Sequence, residues 1–238
     1  MPFTIKNRTG LLAFIGFTAL GAFLSACRAP LVMQEYRFHT ILWDVDWSSN
    51  GDVLATGGNH DRLTFLGTDS LSILNTMPLP KTITNLEFHP SNSTIAVSYQ
   101  LTEKPAFIYD TITHRKINLR AKNKNGSRGM AWSPNGQFLA VGDNDGLLTI
   151  YNIDGKLLST HEVDPKAITG LDWHPTKNQL VTIGSQISIV YLDAFELVTV
   201  TPRDNEVLML CVDWHPSALP SETFQTGHSS SDSMGFSA

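Results

Sequence analysis

Cysteine is nearly absent from this chain: Cys27 and Cys211 are the only two in 238 residues. That scarcity excludes a disulfide-stapled scaffold. The short local signatures of catalysis are missing too. There is no Gly-x-Ser-x-Gly elbow, no His-Glu-x-x-His, no phosphate-binding glycine loop and no Cys-x-x-Cys, so the standard sequence signals for hydrolysis, metal catalysis and redox work are absent. After the N-terminus, no window sustains the 3.6-residue period of an amphipathic helix. Charged residues are sparse at 16%, with 17 Lys+Arg against 22 Asp+Glu and a net of −5. Phosphate backbones are gripped by clustered lysine and arginine, and the one basic cluster, Arg115 to Lys124, is broken by apolar and amide residues. It reads as a solvated strand and loop, and nucleic acid is not an expected partner.

What the chain does have is a repeat. Five segments centre on an aromatic residue, Trp47, Phe88, Trp132, Trp173 and Trp214, at intervals of 41, 44, 41 and 41 residues. The third unit runs Gly129-Met130-Ala131-Trp132-Ser133-Pro134-Asn135-Gly136, then Phe138 to Gly142, then Asn144-Asp145-Gly146 and Leu147 to Asn152. The first and fourth follow the same course through Val53 to Gly58 and through Leu180 to Gly184 and Ile187 to Tyr191. Each unit therefore offers strand, turn, strand, turn, strand. A weaker fourth strand follows, as at Leu157 to His161 or Leu197 to Val200. Pro134-Asn135-Gly136 and Asn144-Asp145-Gly146 supply the residues that tight hairpins need at positive φ. Self-similarity near 40–45 residues with strand-like alternation is the signature of four-stranded propeller blades.

Strand, Trp-Ser-Pro-Asn-Gly turn, Leu-Ala-Val-Gly, Asp-Gly turn and Thr-Ile-Tyr-Asn together resemble a blade of the WD-repeat β-propeller family. The resemblance covers about residues 35–217 and is closest in the third unit. The namesake Trp-Asp pair is replaced by Tyr109-Asp110, Tyr151-Asn152 and Leu192-Asp193. The implied fold is an all-β propeller of four-stranded antiparallel blades, with about four complete repeats and a partial fifth. Beyond Ser217 the chain becomes serine-rich and loses its alternating strands, so residues 218–238 are expected to be a degenerate or disordered tail. Either the chain is a truncated member of a longer lineage, or degenerate strands within the tail complete a compact ring. The first is favoured; an unclosed ring leaves two sheet edges exposed to aggregation.

At the N-terminus, Lys6 and Arg8 precede an apolar run from Leu11 to Phe23 that ends in Leu24-Ser25-Ala26-Cys27. The run is shorter than the roughly 20 apolar residues of a spanning helix and fits a cleaved export signal. An ordinary secretory signal shares these features. The cysteine directly after Leu-Ser-Ala is similar to the lipobox of a bacterial lipoprotein. By that resemblance residues 1–26 are a signal peptide, Cys27 carries a diacylglycerol thioether and an acylated amine, and 27–34 form a linker. Even two lipid chains suffice for stable anchoring at about 0.8 kcal/mol per buried methylene, so a triacylated cysteine would hold firmly. Arg28 in the next position implies, in a Gram-negative host, the periplasmic face of the outer membrane. Loss of Lys6 and Arg8 leaves 15 basic against 22 acidic residues.

The other reactive side chains have structural readings. His89, His174 and His215 each stand between an aromatic residue and a proline. Equivalent places on neighbouring blades lie about 10 Å apart by sheet-packing distances, far beyond metal–nitrogen bonds near 2.0–2.1 Å. These histidines are expected to replace Ser133 and bond backbone in the following turn, so no metal or cofactor is implied. Asp46, Glu87 and Asp172 share one repeat position, and Asp145 is expected to satisfy backbone donors of its own turn. Cys211 reads as a small buried hydrophobe.

Recognition is what remains. In the resembling family, partners dock where loops enter the innermost strands, and the position four before each aromatic recurs there. It holds Trp43, Thr84, Arg128, Thr169 and Leu210 in this chain. Trp43 and Arg128 lead, since tryptophan and arginine are enriched in interface hot spots. His60, Asp61, Asn144 and Asp145 are expected to rim the same face. The expected function is a non-catalytic scaffold for a protein or peptide partner, anchored to a bacterial envelope. An outer-membrane assembly factor is the alternative, with a propeller hydrolase or ligand sensor behind it.

Overall fold

A computed structural model of the chain describes residues 37–38, 40–59, 61–100, 106–120, 125–193, 196–200 and 209–215. The signal-peptide, linker and tail expectations, with Cys27 and His60, lie outside the described residues. Every regular element described is a strand, and sixteen strands form four antiparallel sheets, each ordered from first to fourth strand without crossover. Blade 1 holds β1 (Leu42–Trp47), β2 (Val53–Gly58), β3 (Arg62–Gly67) and β4 (Ile73–Pro78). Blade 2 holds β5 (Ile83–Phe88), β6 (Thr94–Tyr99), β7 (Ala106–Asp110) and β8 (Lys116–Asn118). Blade 3 holds β9 (Ser127–Trp132), β10 (Phe138–Asp143), β11 (Leu147–Asn152) and β12 (Leu157–Glu162). Blade 4 holds β13 (Gly170–Trp173), β14 (Gln179–Ile183), β15 (Ile187–Tyr191) and β16 (Glu196–Val200). The fourth strands expected near Leu157 and Leu197 are β12 and β16.

The hairpin joining β9 to β10 shows how the sequence sets the register. Gly136 sits at φ +69°, donates its N–H to the Ser133 carbonyl, and lets Asn135 Oδ1 accept the Gln137 N–H. Ser133 Oγ then accepts the Phe138 N–H at 3.0 Å, which locks Leu139 opposite Trp132. A hairpin of this kind needs a residue at positive φ, and glycine takes it without Cβ strain.

The apolar core lies between blades, not at a single centre. One cluster joins Ala55, Leu63 and Phe65 to Ile83, Phe88 and Phe107 across the first seam. A second joins Ala96 and Ile108 to Met130, Trp132 and Tyr151, and a third joins Ala140 and Leu148 to Ile168, Trp173 and Leu180. Segment 209–215 follows blade 4 in the place of the next innermost strand, with Val212 and Trp214 packed on Val181 and Ile183. Each sheet is thus covered mainly by its neighbour, the nearest-neighbour logic of repeat proteins.

Candidate functional site: the cavity between the innermost strands

The four innermost strands and segment 209–215 line one cavity of about 760 Å³. Trp43, Thr84, Arg128, Thr169 and Leu210 all border it. The repeat thus brings the position four before each aromatic to one place. Within that ring the residues differ in freedom. Thr84 Oγ1 donates to the Ser127 carbonyl at 2.6 Å, and Thr169 Oγ1 donates to the Met209 carbonyl, so both hydroxyls tie their blade to the next. Trp43 is exposed, with its indole N–H held by Asn59 Oδ1 at 2.6 Å. The side chain of half-buried Arg128 makes no hydrogen bond or ion pair with the described residues.

Asp61, Asn144 and Asp145 lie in the second-to-third-strand turns of blades 1 and 3 and do not line this cavity. Asn144 Nδ2 donates to the Asn125 carbonyl, and both Asp145 oxygens accept from Asn125 Nδ2. The expected role of Asp145 is corrected here. Asp143 Oδ1 accepts the Asp145 and Leu147 N–H groups, because its place at the strand end points its carboxylate back over the turn.

The cavity wall is acidic, and the carboxylates have a repeated task. Asp44 Oδ2 accepts Asn85 Nδ2 at 2.8 Å and the Leu86 N–H at 2.6 Å in the next blade. Asp46 Oδ2 accepts the Phe88 N–H at 2.6 Å, and Asp172 Oδ2 accepts the Trp214 N–H at 2.7 Å. Glu87 accepts the Trp132 N–H in the same way, while its Oε2 is buried without a partner. Indoles return the bond: Trp132, Trp173 and Trp214 Nε1 donate to the carbonyls of Glu87, Ala131 and Asp172 in the preceding blade, at 3.2, 2.9 and 3.2 Å. Burial is the main cause that holds the Asp44, Asp46, Glu87 and Asp172 carboxyls above the ordinary carboxylate range, with like charge from neighbouring carboxylates adding at Asp44, Glu87 and Asp172. The shared repeat position of Asp46, Glu87 and Asp172 was visible in the sequence; that it fastens blade to blade was not.

The histidines serve as expected in two repeats. His89 Nδ1 accepts the Ser91 N–H, which leaves Nε2–H to donate to the Gly136 carbonyl of the next blade. His174 Nδ1 accepts the Thr176 and Lys177 N–H groups, and burial lowers its basicity. Among the described residues, no group of three or more His, Cys, Asp or Glu side chains stands where it could hold a metal ion. Cys211 is exposed at the cavity, contrary to the buried reading, because it occupies the cavity-lining position of Asp44 and Asn85. Gln100 also lines the wall, and no repeat signal in the sequence marked it.

Four sheets in chain order, with innermost strands around one cavity and indole–carbonyl fasteners between neighbours, define a β-propeller architecture. The comparisons agree with this. Residues 107–176 match the anaphase-promoting complex subunit 4 WD40 domain, and residues 32–64 match the WD domain, G-beta repeat. The chain is 30% identical over 122 residues to echinoderm microtubule-associated protein-like 2 of Homo sapiens, a stretch of 49% of this chain and 18% of that protein. It is 31% identical over 109 residues to echinoderm microtubule-associated protein-like 1 of Rattus norvegicus, 44% of this chain and 13% of that protein. The chain therefore covers less than a fifth of the length of these curated relatives. These matches support a WD-repeat protein.

Proposed function

We propose that this protein is a non-catalytic docking platform for a protein or peptide, held at a bacterial cell envelope by lipid on Cys27. WD40 repeats generally serve as interaction scaffolds, which supports the first half of the reading. The observation that carries it is the convergence of Trp43 and Arg128 on one cavity mouth, the indole exposed and the guanidinium without a described partner. Aromatic and arginine side chains placed together and left open are the composition of binding hot spots. Thr84 and Thr169 border the same mouth, but their hydroxyls are already engaged between blades, so energetic weight falls on Trp43 and Arg128. The lipid anchor rests on the Leu24-Ser25-Ala26-Cys27 motif. Among the described residues no helix is long and apolar enough to cross a membrane.

Trp43→Ala combined with Arg128→Ala is expected to abolish partner capture from envelope extracts, at about 2 kcal/mol or more per hot spot, with the unfolding midpoint unchanged. Undiminished capture by a folded double variant would remove this face from the proposal. Labelled palmitate is expected to enter the wild-type chain and not Cys27→Ser; no incorporation into wild type would remove the anchor alone.

A further inference from the structure

Blade 1 turns an uncovered face outward. Its positions Val45 and Trp47 are 53% and 56% exposed, whereas their equivalents Leu86 and Phe88, Met130 and Trp132, and Leu171 and Trp173 are all buried against the preceding blade. The hydrogen bonds are uncovered with it. Trp47 Nε1 has no acceptor among the described residues, and the Trp47 N–H turns to its own Asp46 Oδ1 instead of a neighbour's carboxylate. Trp173 turns to its own Asp172 in the same way, at the one seam where the neighbour offers Ala131 in place of a carboxylate.

The other end of the arc presents the missing half. In segment 209–215 the residue before the aromatic is Asp213, exposed, its carboxylate accepting nothing from the described residues. By the bonding pattern of the internal seams, this residue supplies two acceptors to the next blade: its carbonyl for the indole N–H, and its carboxylate for the aromatic's backbone N–H. Among the described residues, one end of the arc lacks the acceptors that the other end leaves unused.

We propose that a second copy of this chain covers the blade 1 face: segment 209–215 of one copy docks on β1 of the other, with the Asp213 carbonyl and carboxylate accepting from Trp47. The contact is heterologous, and two such contacts related by a twofold axis along the cavity close two arcs into one ring. Closure also removes the exposed faces that make an open sheet array prone to aggregation. The proposal does not depend on the docking reading of Trp43 and Arg128.

Geometry supplies the test. Residues three before the aromatic meet across two internal seams: Asp44 bonds Asn85 at 2.8 Å, and a Cβ on Gly129 would stand 3.2 Å from the Gly170 Cα. Cys211 holds this position at the trailing end and Asp44 at the leading end. In the full chain carrying Cys27→Ser, Asp44→Cys is expected to form disulfide-linked dimers with Cys211 under mild oxidation, and none when Cys211→Ser is added. An intrachain disulfide, or two free thiols, would overturn the proposal. Because Asp44→Cys also removes a bond to blade 2, the chain without engineered cysteines provides a second reading. Light scattering at tens of micromolar is expected to give twice the monomer mass for the wild type and the monomer mass for Trp47→Asp and for Asp213→Lys. A wild-type monomer, or an assembly unmoved by either substitution, would overturn it.

Discussion

Trp47 and Trp132 occupy the same place in the same repeat, yet one is 56% and the other 4% exposed. Both end the first strand of their blade and precede a Ser-initiated turn with a glycine at positive φ, Gly51 and Gly136. Local sequence therefore does not explain the difference. Trp132 has a blade before it, with the Glu87 carbonyl for its indole and Ala96 and Ile108 in its apolar cluster. Trp47 has none among the described residues. The repeat is thus a unit of sequence but not of stability: each blade's inner face is completed by the one before it, and the free energy resides in the seams.

The largest expected effect tests this directly. Trp132→Ala should lower stability by about 3–5 kcal/mol, the usual cost of deleting a buried large aromatic, and the loss in a urea titration should not vary with protein concentration. Trp47→Ala should cost at most about 0.5 kcal/mol in dilute solution, as for an exposed surface position. Its effect should grow with concentration where copies associate. Equal losses at the two tryptophans in dilute solution would break the comparison, because blade 1 would then be covered by its own chain.

A sharper version uses the two glycines. Alanine at Gly51 meets nothing within 4 Å and bears only the left-handed backbone, about 1 kcal/mol. Alanine at Gly136 bears the same strain and also places its Cβ 2.2 Å from Cε1 and Nε2 of His89. That ring is pinned by the Ser91 N–H and the Gly136 carbonyl, and it packs edge-on against Trp132 with centroids 4.9 Å apart. It has no room to retreat, so Gly136→Ala should cost about 3 kcal/mol, strain and overpacking together. Similar midpoints for the two variants would mean that the second seam yields more readily than its bonding implies.

How much of this was legible beforehand follows from the same contrast. Period-two alternation and turn residues are local, so the blades, their strand boundaries and even the weak outer strands β12 and β16 could be read from the chain. The convergence of Trp43, Thr84, Arg128, Thr169 and Leu210 could be read as well, because a fixed offset from a repeated aromatic returns to the same place in every blade. What lies between blades could not. Nothing in the identity of Thr84 or Thr169 says that its hydroxyl is used by the next repeat, and Cys211 looks apolar until the cavity beside it is seen. Asp143 and Asp145 differ by only two positions in one turn. Which of them turns back onto the backbone depends on the strand end and on Asn125 reaching over from outside the turn.

The smallest expected effect separates two internal seams. Between blades 2 and 3 the bridging residue is Glu87; between blades 3 and 4 it is Ala131, and the indole–carbonyl bond holds there without a carboxylate. A seam thus forms without a carboxylate, and burial makes the Glu87 charge costly where it sits. Its Oε2 is buried and unpartnered, and burial first, then the Asp46, Asp172 and Asp44 charges, hold its carboxyl well above the ordinary value of 4.5. A carboxyl raised in the folded state binds its proton more tightly there than in the unfolded chain. Its contribution to stability is then present at low pH and is lost as pH rises from the unfolded value through the folded one. Glu87→Gln keeps an oxygen to accept the Trp132 N–H and removes the titration. The variant should gain about 1 kcal/mol at pH 7 over wild type, and the difference should vanish below about pH 4. A variant less stable than wild type at pH 7, or a difference that does not change with pH, would show that the charged carboxylate itself holds blade 2 to blade 3.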